Sequence, residues 1–417
     1  MSTPGDAVAA AHRAHWAGVL AATVRITRDL DTAEECVQDA YAQALRTWPS
    51  NGVPDRPEAW LRTVAGNRAR DLLRRESVWR RAMPLLVEEA TATGPDPQDA
   101  DEPPVVADDT LRLIFTCCHP ALSREARVAL TLRLVCGLST AEVARAFLVQ
   151  ESTMAARITR AKKKIAAARI PYRVPTAVDL PERVSAVCDV VHLVFTTGSN
   201  APVGETLVRD DLVDSAVGLA RMLHRLLPVA EPAGLLALLL LIDARRATRT
   251  DDDGAPVLLE DQDRSWWDRE MIAEGIELLT ESLRGGPPNR YAVQAAIAAV
   301  HAEASTFEAT DWSEIVSLYD VLLRLWPSPV VELNQAVAIG MRDGPEAGLV
   351  ALDRLAAEPA LATYRYLSAA RADFLRRLGQ WPEAATAYEE ALVLTDNEAE
   401  RAFLARRLAE VQRGQES

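Results

Sequence analysis

The sequence predicts an all-α protein made of several helical domains. Alanine, leucine and arginine are abundant along the chain, and all three favour helices. Aromatic residues make up 5% of the composition, and alternating β-branched segments of strand length are hard to find. Because 417 residues exceed one ordinary hydrophobic core, we expect more than one domain.

Composition also bounds the cellular setting. The longest apolar run, residues 234–242, is far too short to cross a bilayer, and the N-terminus lacks the pattern of a signal peptide. Five cysteines without framework spacing suit a reducing compartment. The sequence therefore predicts a cytoplasmic protein with no membrane segment.

Two short segments resemble metal sites without meeting their requirements. In Cys117-Cys118-His119 the adjacent cysteines would chelate one tetrahedral ion poorly, so buried thiols are expected instead. The run Asp251-Asp252-Asp253-Gly254 lacks the alternating oxygen ligands and closing glutamate of a calcium loop, which favours an acidic turn. We predict neither a metal nor a cofactor.

Charge is divided unevenly along the chain. The formal net charge is −14, yet residues 108–172 carry +6 and residues 173–417 carry −16. A basic module joined to an acidic one indicates that one part meets nucleic acid and the other does not.

Residues 138–165 have the pattern of two helices joined by a tight turn. Ser139 and Glu142 form a capping box for the first helix, and Ser152 or Thr153 could cap the second. In the second helix four apolar positions share one face and should be buried. They are Met154, Ile158, Ala161 and Ile165.

The opposite face of this second helix is basic and suits a phosphate-lined groove. No acidic residue occurs between Ser152 and Val178, and residues 162–164 are the three lysines of the chain. The alternative is a charged helix end that merely keeps a helical bundle soluble. The predicted DNA-facing residues are Thr153, Ala155, Ala156, Arg157, Thr159, Arg160, Lys163 and Lys164.

The N-terminal part predicts three helices, over residues 15–27, over residues 32–48 and from Pro57 onward. In the second, an apolar stripe should be buried and an acidic face exposed. The stripe is Val37, Tyr41, Ala44, Leu45 and Trp48, and the face is Glu34, Glu35, Gln38 and Asp39. The third helix mixes apolar positions with a polar and basic set that includes Asn67, Arg68, Arg70 and Arg74.

Three segments in this order resemble regions 2 and 4 of the extracytoplasmic-function sigma factors of bacterial RNA polymerase. They are AEECVQDAYAQALRTWP, PEAWLRTVAGNRARDLLRR and the helix-turn-helix at 138–165. The resemblance covers about residues 10–172. It implies region 2 at 1–80, an acidic, proline-containing linker at 81–107 that should be flexible, and region 4 at 108–172.

The resemblance also assigns roles to residues. It implies that Glu35, Gln38 and Asp39 bind the clamp helices of core RNA polymerase. Asn67, with Arg68, Arg70 and Arg74, falls where the family reads the −10 element of promoter DNA. The alternative for Asn67 is an ordinary amide on a helix surface. Where relatives often carry polar base-reading side chains, Ala155 and Ala156 can touch thymine methyls but cannot hydrogen-bond bases.

After Pro175 the helical patterns continue with acidic surfaces. We divide this half into a helical extension at 173–285 and tetratricopeptide-like helical repeats at 286–417. The repeats rest on Ser313-Glu314-Ile315, Pro345-Glu346-Ala347 and Pro382-Glu383-Ala384, spaced 32 and 37 residues apart. We predict that this half contacts the sigma domains and regulates them in cis, with residues 183–195, 234–242 and 260–264 as candidate contacts. An internal loop contact is the alternative for 260–264.

The sequence has few of the patterns that are typical of an enzyme active site. Its six histidines are scattered, and no phosphate-cradling glycine loop or catalytic triad spacing occurs. Two functions remain open: a sigma factor that recognises promoters, and a helix-turn-helix regulator or scaffold whose repeat domain senses a protein or ligand. Residues 10–80 favour the first, because a simple regulator needs neither a polymerase-binding helix nor a DNA-melting helix.

Overall fold

The computed structural model describes residues 4–82, 109–147, 149–201, 203–204, 206–252 and 254–415. Within these residues it contains eighteen α-helices, which confirms the predicted all-α class. The one paired-strand element there is a short parallel pair, β1 (Val203–Gly204) with β2 (Asp396–Asn397). The chain divides into two compact units, residues 1–190 and 191–417.

The first unit begins with a three-helix domain and continues with four shorter helices. Between α5 and α6 the residues Thr131–Val135 form one π-helical turn. The unit boundary at residue 190 falls inside α8. The helices are α1 (Pro4–Thr27), α2 (Leu30–Asn51), α3 (Pro57–Ala82), α4 (Asp109–Cys117), α5 (Arg124–Leu130), α6 (Thr140–Ala146), α7 (Glu151–Ala167) and α8 (Leu180–Ser199).

Helices α1, α2 and α3 pack against one another in the three-helix domain. The predicted break before α2 is real: the Asp29 carboxylate caps α2 by accepting a hydrogen bond of 2.7 Å from the Thr32 amide. Helix α2 ends at Gly52, whose positive φ of 81° suits glycine. Helix α3 begins at Pro57 as predicted. The predicted linker 81–107 lies outside the described residues except at 81 and 82.

A buried core also joins the three-helix domain to the helices that follow. Helix α1 contacts α4, and the indole Nε1 of Trp16 donates to the Leu134 carbonyl at 3.1 Å. The Tyr172 hydroxyl lies 2.9 Å from the Ala21 carbonyl oxygen and 3.1 Å from that of Asp109. Residues 4–82 and 109–172 are therefore packed together within the first unit.

The second unit is a succession of helices, each packed on the next. It contains the second half of α8 and ten further helices in the described residues. These are α9 (Asp210–Leu226), α10 (Ala230–Asp243), α11 (Arg269–Arg284), α12 (Arg290–Glu303), α13 (Trp312–Leu325), α14 (Pro329–Asp343), α15 (Pro345–Asp353), α16 (Arg365–Arg377), α17 (Trp381–Val393) and α18 (Glu398–Gln415).

Each of the three predicted repeat openings starts a helix. They lie at the beginnings of α13, α15 and α17, and these helices pack on α14, α16 and α18. Phe374 of α16 fills the space beside two helical glycines, Gly340 and Gly348. A Cβ atom on either glycine would lie within 2.4 Å of the Phe374 ring, so this packing requires glycine at both positions.

Helix α10 is buried on all sides at the centre of the second unit. Its neighbours are α9, α11 and α12, and nearly all of its side chains are inaccessible to solvent. Residues 234–242 thus pack against helices of the second unit, because a continuous apolar run fits the middle of a helical core as well as it fits an interface. Their docking against the sigma domains stays a prediction.

Candidate nucleic-acid interface

The helix-turn-helix is built from α6 and α7. The Ser139 amide donates to the Glu142 carboxylate at 2.7 Å, and the Glu142 amide donates to the Ser139 hydroxyl at 3.2 Å, which confirms the capping box. The expected cap by Ser152 or Thr153 was wrong. Helix α7 already begins at Glu151, and its N-cap Gln150, two residues before Ser152, forms no side-chain capping bond.

The buried side of α7 is the predicted one. Met154, Ile158, Ala161 and Ile165 are buried, and α7 packs against α5 and α6. This packing fixes the rotation of α7 about its axis, and with it the direction of the opposite face.

The opposite face of α7 is exposed and basic. Arg157 is half-buried, with its guanidinium carbon 5.5 Å from the centre of the Phe147 ring. Among the described residues, the charged groups of Arg160, Lys163 and Lys164 form no ion pair, so they are available to phosphates. The exposed members of the predicted DNA-facing set are Thr153, Ala155, Ala156, Thr159, Arg160, Lys163 and Lys164.

Lys162 differs from the two lysines that follow it. Its side chain is 9% exposed, and its ammonium donates to the carboxylates of Asp31 at 2.6 Å and Glu34 at 2.8 Å. Burial lowers the pKa of Lys162, but the two carboxylates outweigh burial and the net direction is upward. Lys162 therefore carries its charge towards α2 and not towards the basic face.

The acidic face of α2 is narrower than the sequence predicted. Glu35, Gln38 and Asp39 are exposed, but Glu34 is 7% exposed and lies between Lys162 and Arg133. The exposed assignment of Glu34 was therefore wrong. Residues 109–172 cover it, and helical periodicity within α2 carries no information about that packing.

Leu45 differs from the prediction in the opposite direction to Glu34, because it was predicted to be buried and is exposed. The sequence placed it in the buried stripe of α2, but its side chain is 54% exposed. Glu34 and Leu45 are about three helical turns apart, so both lie on the same border of the stripe. Other parts of the first unit cover this border at Glu34 and leave it open at Leu45. A large exposed apolar side chain beside the acidic face is a feature that the sequence analysis missed.

The predicted −10 group lies along α3. Asn67 is exposed, and its side-chain oxygen accepts a hydrogen bond of 2.9 Å from Arg70. The Arg68 guanidinium donates to Asp39 at 3.0 Å, and Arg74 lies 3.6 Å from Asp71. The Arg68–Asp39 pair brings the predicted DNA-reading and polymerase-binding groups into direct contact.

The cysteines near the helix-turn-helix are shielded. Cys117 and Cys118 are buried, and the Cys118 sulfur lies 3.4 Å from the Thr131 hydroxyl oxygen. Burial raises the pKa of Cys118 to about 11 and that of Cys136 to about 12. The sequence analysis expected buried thiols here, and Cys117 and Cys118 are buried. In the described residues no group of three or more His, Cys, Asp or Glu side chains is placed to hold a metal ion.

Residues 251–267 form contacts within the second unit. Asp251 accepts a hydrogen bond from the Ala255 amide, and Gly254 has a φ of +78°, as residues that flank a turn do. Glu260 pairs with Arg377 of α16 at 3.0 Å. Arg264 donates to the carbonyls of His301 and Ala304, each at 2.7 Å. Glu260 and Arg264 are thus engaged in internal contacts of the kind named as the alternative.

No α-helix in the described residues is long and apolar enough to cross a membrane. The all-α fold, the capped helix-turn-helix and its exposed basic helix together define a DNA-binding protein of the helix-turn-helix class. A three-helix domain with a polar and basic third helix precedes this motif.

Comparison with known families is consistent with this class. Residues 12–78 match sigma-70 region 2, residues 112–165 match sigma-70 region 4, and residues 183–283 match a family of unknown function (DUF6596). The chain therefore carries regions 2 and 4 of the sigma-70 family, is similar to an extracytoplasmic-function sigma factor over those regions, and continues into a C-terminal extension. Sigma-70 family factors are non-enzymatic initiation factors, so no catalytic site is assigned.

Two relatives show how far the similarity extends. An uncharacterized protein of Rhizobium meliloti (strain 1021) is 46% identical over 391 residues, covering 92% of this chain and 91% of that protein. A probable ECF RNA polymerase sigma factor, SigI, of Mycobacterium tuberculosis is 30% identical over 177 residues. That match covers 41% of this chain and 59% of SigI.

Proposed function

We propose that this protein is a dissociable subunit of RNA polymerase that binds the core enzyme, recognises the −10 and −35 promoter elements and initiates transcription. The observation that carries the proposal is the exposed face of α7, on which Arg160, Lys163 and Lys164 have no acidic partner in the described residues. Helices of this kind enter the major groove. On this proposal the protein acts in the cytoplasm, where its polymerase and promoters are.

The polymerase-binding surface is the exposed side of α2. Glu35, Gln38 and Asp39 supply its polar part, and Leu45 supplies an apolar anchor at its C-terminal end. Interfaces of this composition combine charge complementarity with a desolvated apolar contact. Because Asp39 also pairs with Arg68, polymerase binding and −10 recognition share a residue.

The −10 element is read by α3. Asn67 can satisfy a base edge with its paired donor and acceptor, and Arg68, Arg70 and Arg74 can hold the backbone of the separated strand. All four residues lie in one stretch of α3, and Asn67, Arg70 and Arg74 are exposed on its surface.

The −35 element is read by α7. Arg157, Thr159 and Arg160 can reach base edges or phosphates, whereas Ala155 and Ala156 offer apolar contact to thymine methyls. The side chains of Ala155, Ala156 and Arg160 lie on the exposed face. This recognition therefore depends more on arginine and on methyl contacts than on polar side chains at 155 and 156.

Co-elution with core RNA polymerase tests the proposal. We expect the full-length protein to co-elute, and the double variant Glu35→Lys and Asp39→Lys to lose most of that binding. Glu35→Lys alone separates the polymerase contact from the Arg68 pair, because Glu35 has no part in that pair. Failure of the wild-type protein to co-elute would remove the proposed function.

The C-terminal half regulates the sigma domains in cis on this proposal. Its net charge of −16 repels DNA, so it cannot add promoter affinity. Arg183 of α8 donates to the Phe115 carbonyl in the first unit, so a cut at residue 172 removes a local contact together with the second unit. The test must separate these two effects, and fragments ending at 172 and at 190 do so.

A further inference from the structure

The two ends of the second unit are joined at a seam. Strand β1, between α8 and α9, pairs in parallel with β2, between α17 and α18. The buried side chain of Asn397 donates to the carbonyls of Ala201 at 3.1 Å and of Thr206 at 3.0 Å. In an open array of repeats each helix contacts only its sequence neighbours. Because this unit also closes end to end, side chains from distant parts of the sequence meet beside the seam.

The turn after α10 reaches the seam through Arg249. Its guanidinium donates to the side-chain oxygen of Asn200, directly before Ala201. Tyr366 of α16 and Glu400 of α18 are both close enough to Arg249 to affect its pKa. Arg249 is half-buried. Groups from three separate stretches of the chain therefore surround one partly accessible guanidinium.

A second arginine, Arg245, lies four residues before Arg249 in the same turn. The turn is fixed by Trp267, whose indole donates to the Thr248 hydroxyl at 3.0 Å. The guanidinium carbon of Arg264 lies 4.9 Å from the centre of the Trp267 ring. This arrangement brings Arg264 and Arg249 into electrostatic range of Arg245, which is itself half-buried.

Arg246, the next residue in the chain, has a very different environment from Arg245. Its guanidinium lies 2.7 Å from Asp243, 2.8 Å from Asp214 and 3.2 Å from Asp210. Within the described residues the guanidinium of Arg245 has no ion pair and no hydrogen bond. The acidic side chains around the turn thus neutralise Arg246 and leave Arg245 unmatched.

The carboxylates near Arg249 are engaged by other arginines. Burial lowers the pKa of Arg249, and Asp243 and Glu400 oppose that shift without reversing it. Asp243 is bonded to Arg246, and a carboxylate oxygen of Glu400 lies 2.7 Å from Nε of Arg365. The turn therefore holds two guanidinium charges, at 245 and 249, that have no carboxylate of their own among the described residues.

Like charges in a half-buried site have an energetic cost. Burial lowers the pKa of Arg245 to about 10, and Arg249 and Arg264 act in the same direction. Burial, Arg245 and Arg264 lower the pKa of His301 to about 4, so His301 is neutral at pH 7. Its Nδ1 is buried and has no hydrogen-bond partner in the described part of the chain, which is rare for a buried polar atom. A bound anion with several acceptor oxygens would offset the repulsion between the arginines.

We propose that Arg245 and Arg249 form a binding site for the phosphate group of a small ligand, beside the seam of the second unit. The planar guanidinium fork matches the spacing of phosphate oxygens. A phosphate monoester carries a charge of about −1.5 to −2 at pH 7, which suits two guanidinium groups better than a single carboxylate does. Because Arg249 also bonds to Asn200, bound phosphate stabilises the contact between the turn and the seam.

Binding of inorganic phosphate to the full-length protein tests the proposal. Isothermal titration calorimetry measures it at constant ionic strength, set with chloride. We expect saturable binding at one site. Arg245→Gln and Arg249→Gln should each weaken it about tenfold or more, because each removes charge-assisted hydrogen bonds to phosphate. Arg249→Lys keeps the charge without the fork and should cause a smaller loss.

Thermal unfolding of the same proteins separates a binding role from a structural one. Phosphate should raise the melting temperature of the wild-type protein and should not raise that of Arg245→Gln. Without phosphate, Arg245→Gln should melt at the wild-type temperature or above it, because it removes a charge that lacks an acidic partner in the described residues. The matched control is Arg225→Gln, which removes an exposed arginine of α9 and should leave phosphate binding unchanged.

Failure of phosphate to bind the wild-type protein would overturn the proposal, and so would equal binding by Arg245→Gln, Arg249→Gln and wild type. Tighter binding of the dicarboxylate malonate than of phosphate would reject a phosphate site. A lower melting temperature of Arg245→Gln in the absence of phosphate would make Arg245 a structural residue and contradict its assignment to the site. These measurements need neither polymerase nor promoter DNA, so their outcome is independent of the proposed function.

Discussion

Three consecutive lysines of α7 have different environments because each helical residue is rotated by about 100° from the one before. Lys162 lies against α2, where it pairs with Asp31 and Glu34, whereas Lys163 and Lys164 lie on the exposed face. The sequence analysis treated the three lysines as one basic group. Lys162 differs from the other two because it pairs with acidic residues at positions 31 and 34, more than a hundred residues away. Such long-range pairing cannot be predicted from a local pattern.

Arg160→Ala should weaken binding of the preferred promoter by about 1–3 kcal/mol if Arg160 reads a base, and should relax specificity at that position. Lys163→Ala should instead weaken all promoters alike and lower the dependence of affinity on salt, because it removes a phosphate contact. Binding of holoenzyme to a panel of promoter variants at several salt concentrations measures both effects. An equal loss on every promoter for Arg160→Ala would make Arg160 a backbone contact.

Asn67→Ala should impair opening of the −10 element more than it impairs binding of duplex DNA. The physical reason is that an amide contact to an extruded base exists only after the duplex opens. Permanganate reactivity of thymines on a linear template measures the opening. The Asn67 side chain also accepts a hydrogen bond from Arg70, so Arg70→Ala is the companion variant that removes this bond and leaves the amide. Normal opening by Asn67→Ala would return Asn67 to an ordinary surface amide.

Leu45→Ala should weaken core-polymerase binding by about 1–2 kcal/mol, or about 5-fold to 30-fold, if the polymerase buries this side chain. Stability should change little, because the side chain is 54% exposed in the free protein. Fluorescence anisotropy of labelled protein titrated with core enzyme gives the affinity. Val178→Ala is the control, since Val178 is also exposed but lies outside α2. Equal affinity of wild type and Leu45→Ala would exclude Leu45 from the interface.

At the scale of elements, local sequence patterns correctly predicted the features that depend on interactions between residues close together in the chain. The buried side of α7, the capping box at Ser139, the start of α3 at Pro57 and the three repeat openings were all predicted correctly. Each depends on periodicity or on contacts within a few residues. The covered Glu34, the exposed Leu45 and the central position of α10 depend on packing between elements, and the sequence did not predict them.

Gly137 offers a test of the packing between elements. Gly137→Ala should destabilise the first unit by more than Gly52→Ala does. Both glycines have positive φ, so both substitutions carry about 1–2 kcal/mol of backbone strain. Only the Cβ at 137 would also meet Trp16 and His12 at 3.0 Å, whereas nothing lies within 4 Å at 52. Urea unfolding followed by tryptophan fluorescence compares the two. Equal destabilisation would show that residue 137 is not closely packed against α1.

At the scale of the whole molecule, a basic DNA-binding part and an acidic helical part are joined in one chain. Residues 108–172 carry +6, and residues 173–417 carry −16. The match to sigma-70 regions accounts for the first, whereas the second includes a match to a family of unknown function. The sequence predicted this division from charge alone, because net charge adds along a chain and does not depend on folding.

Removal of the C-terminal half should abolish most promoter-dependent transcription if that half acts on the sigma domains in cis. Fragments 1–172 and 1–190 form the matched pair, because the longer one keeps Arg183 and its bond to the Phe115 carbonyl. We expect both fragments to be inactive relative to the full-length protein. Activity restored in fragment 1–190 would assign the loss to the Arg183 contact, and equal activity of all three would contradict regulation in cis.

Run-off transcription by core RNA polymerase, with and without this protein, tests the central claim most directly. The template pool should contain promoters selected by the reconstituted holoenzyme. The account predicts defined transcripts that appear when the full-length protein is added and disappear with the Glu35→Lys and Asp39→Lys double variant. Binding of the protein to DNA with no new transcript from core polymerase would contradict a sigma factor and would instead fit a helix-turn-helix regulator.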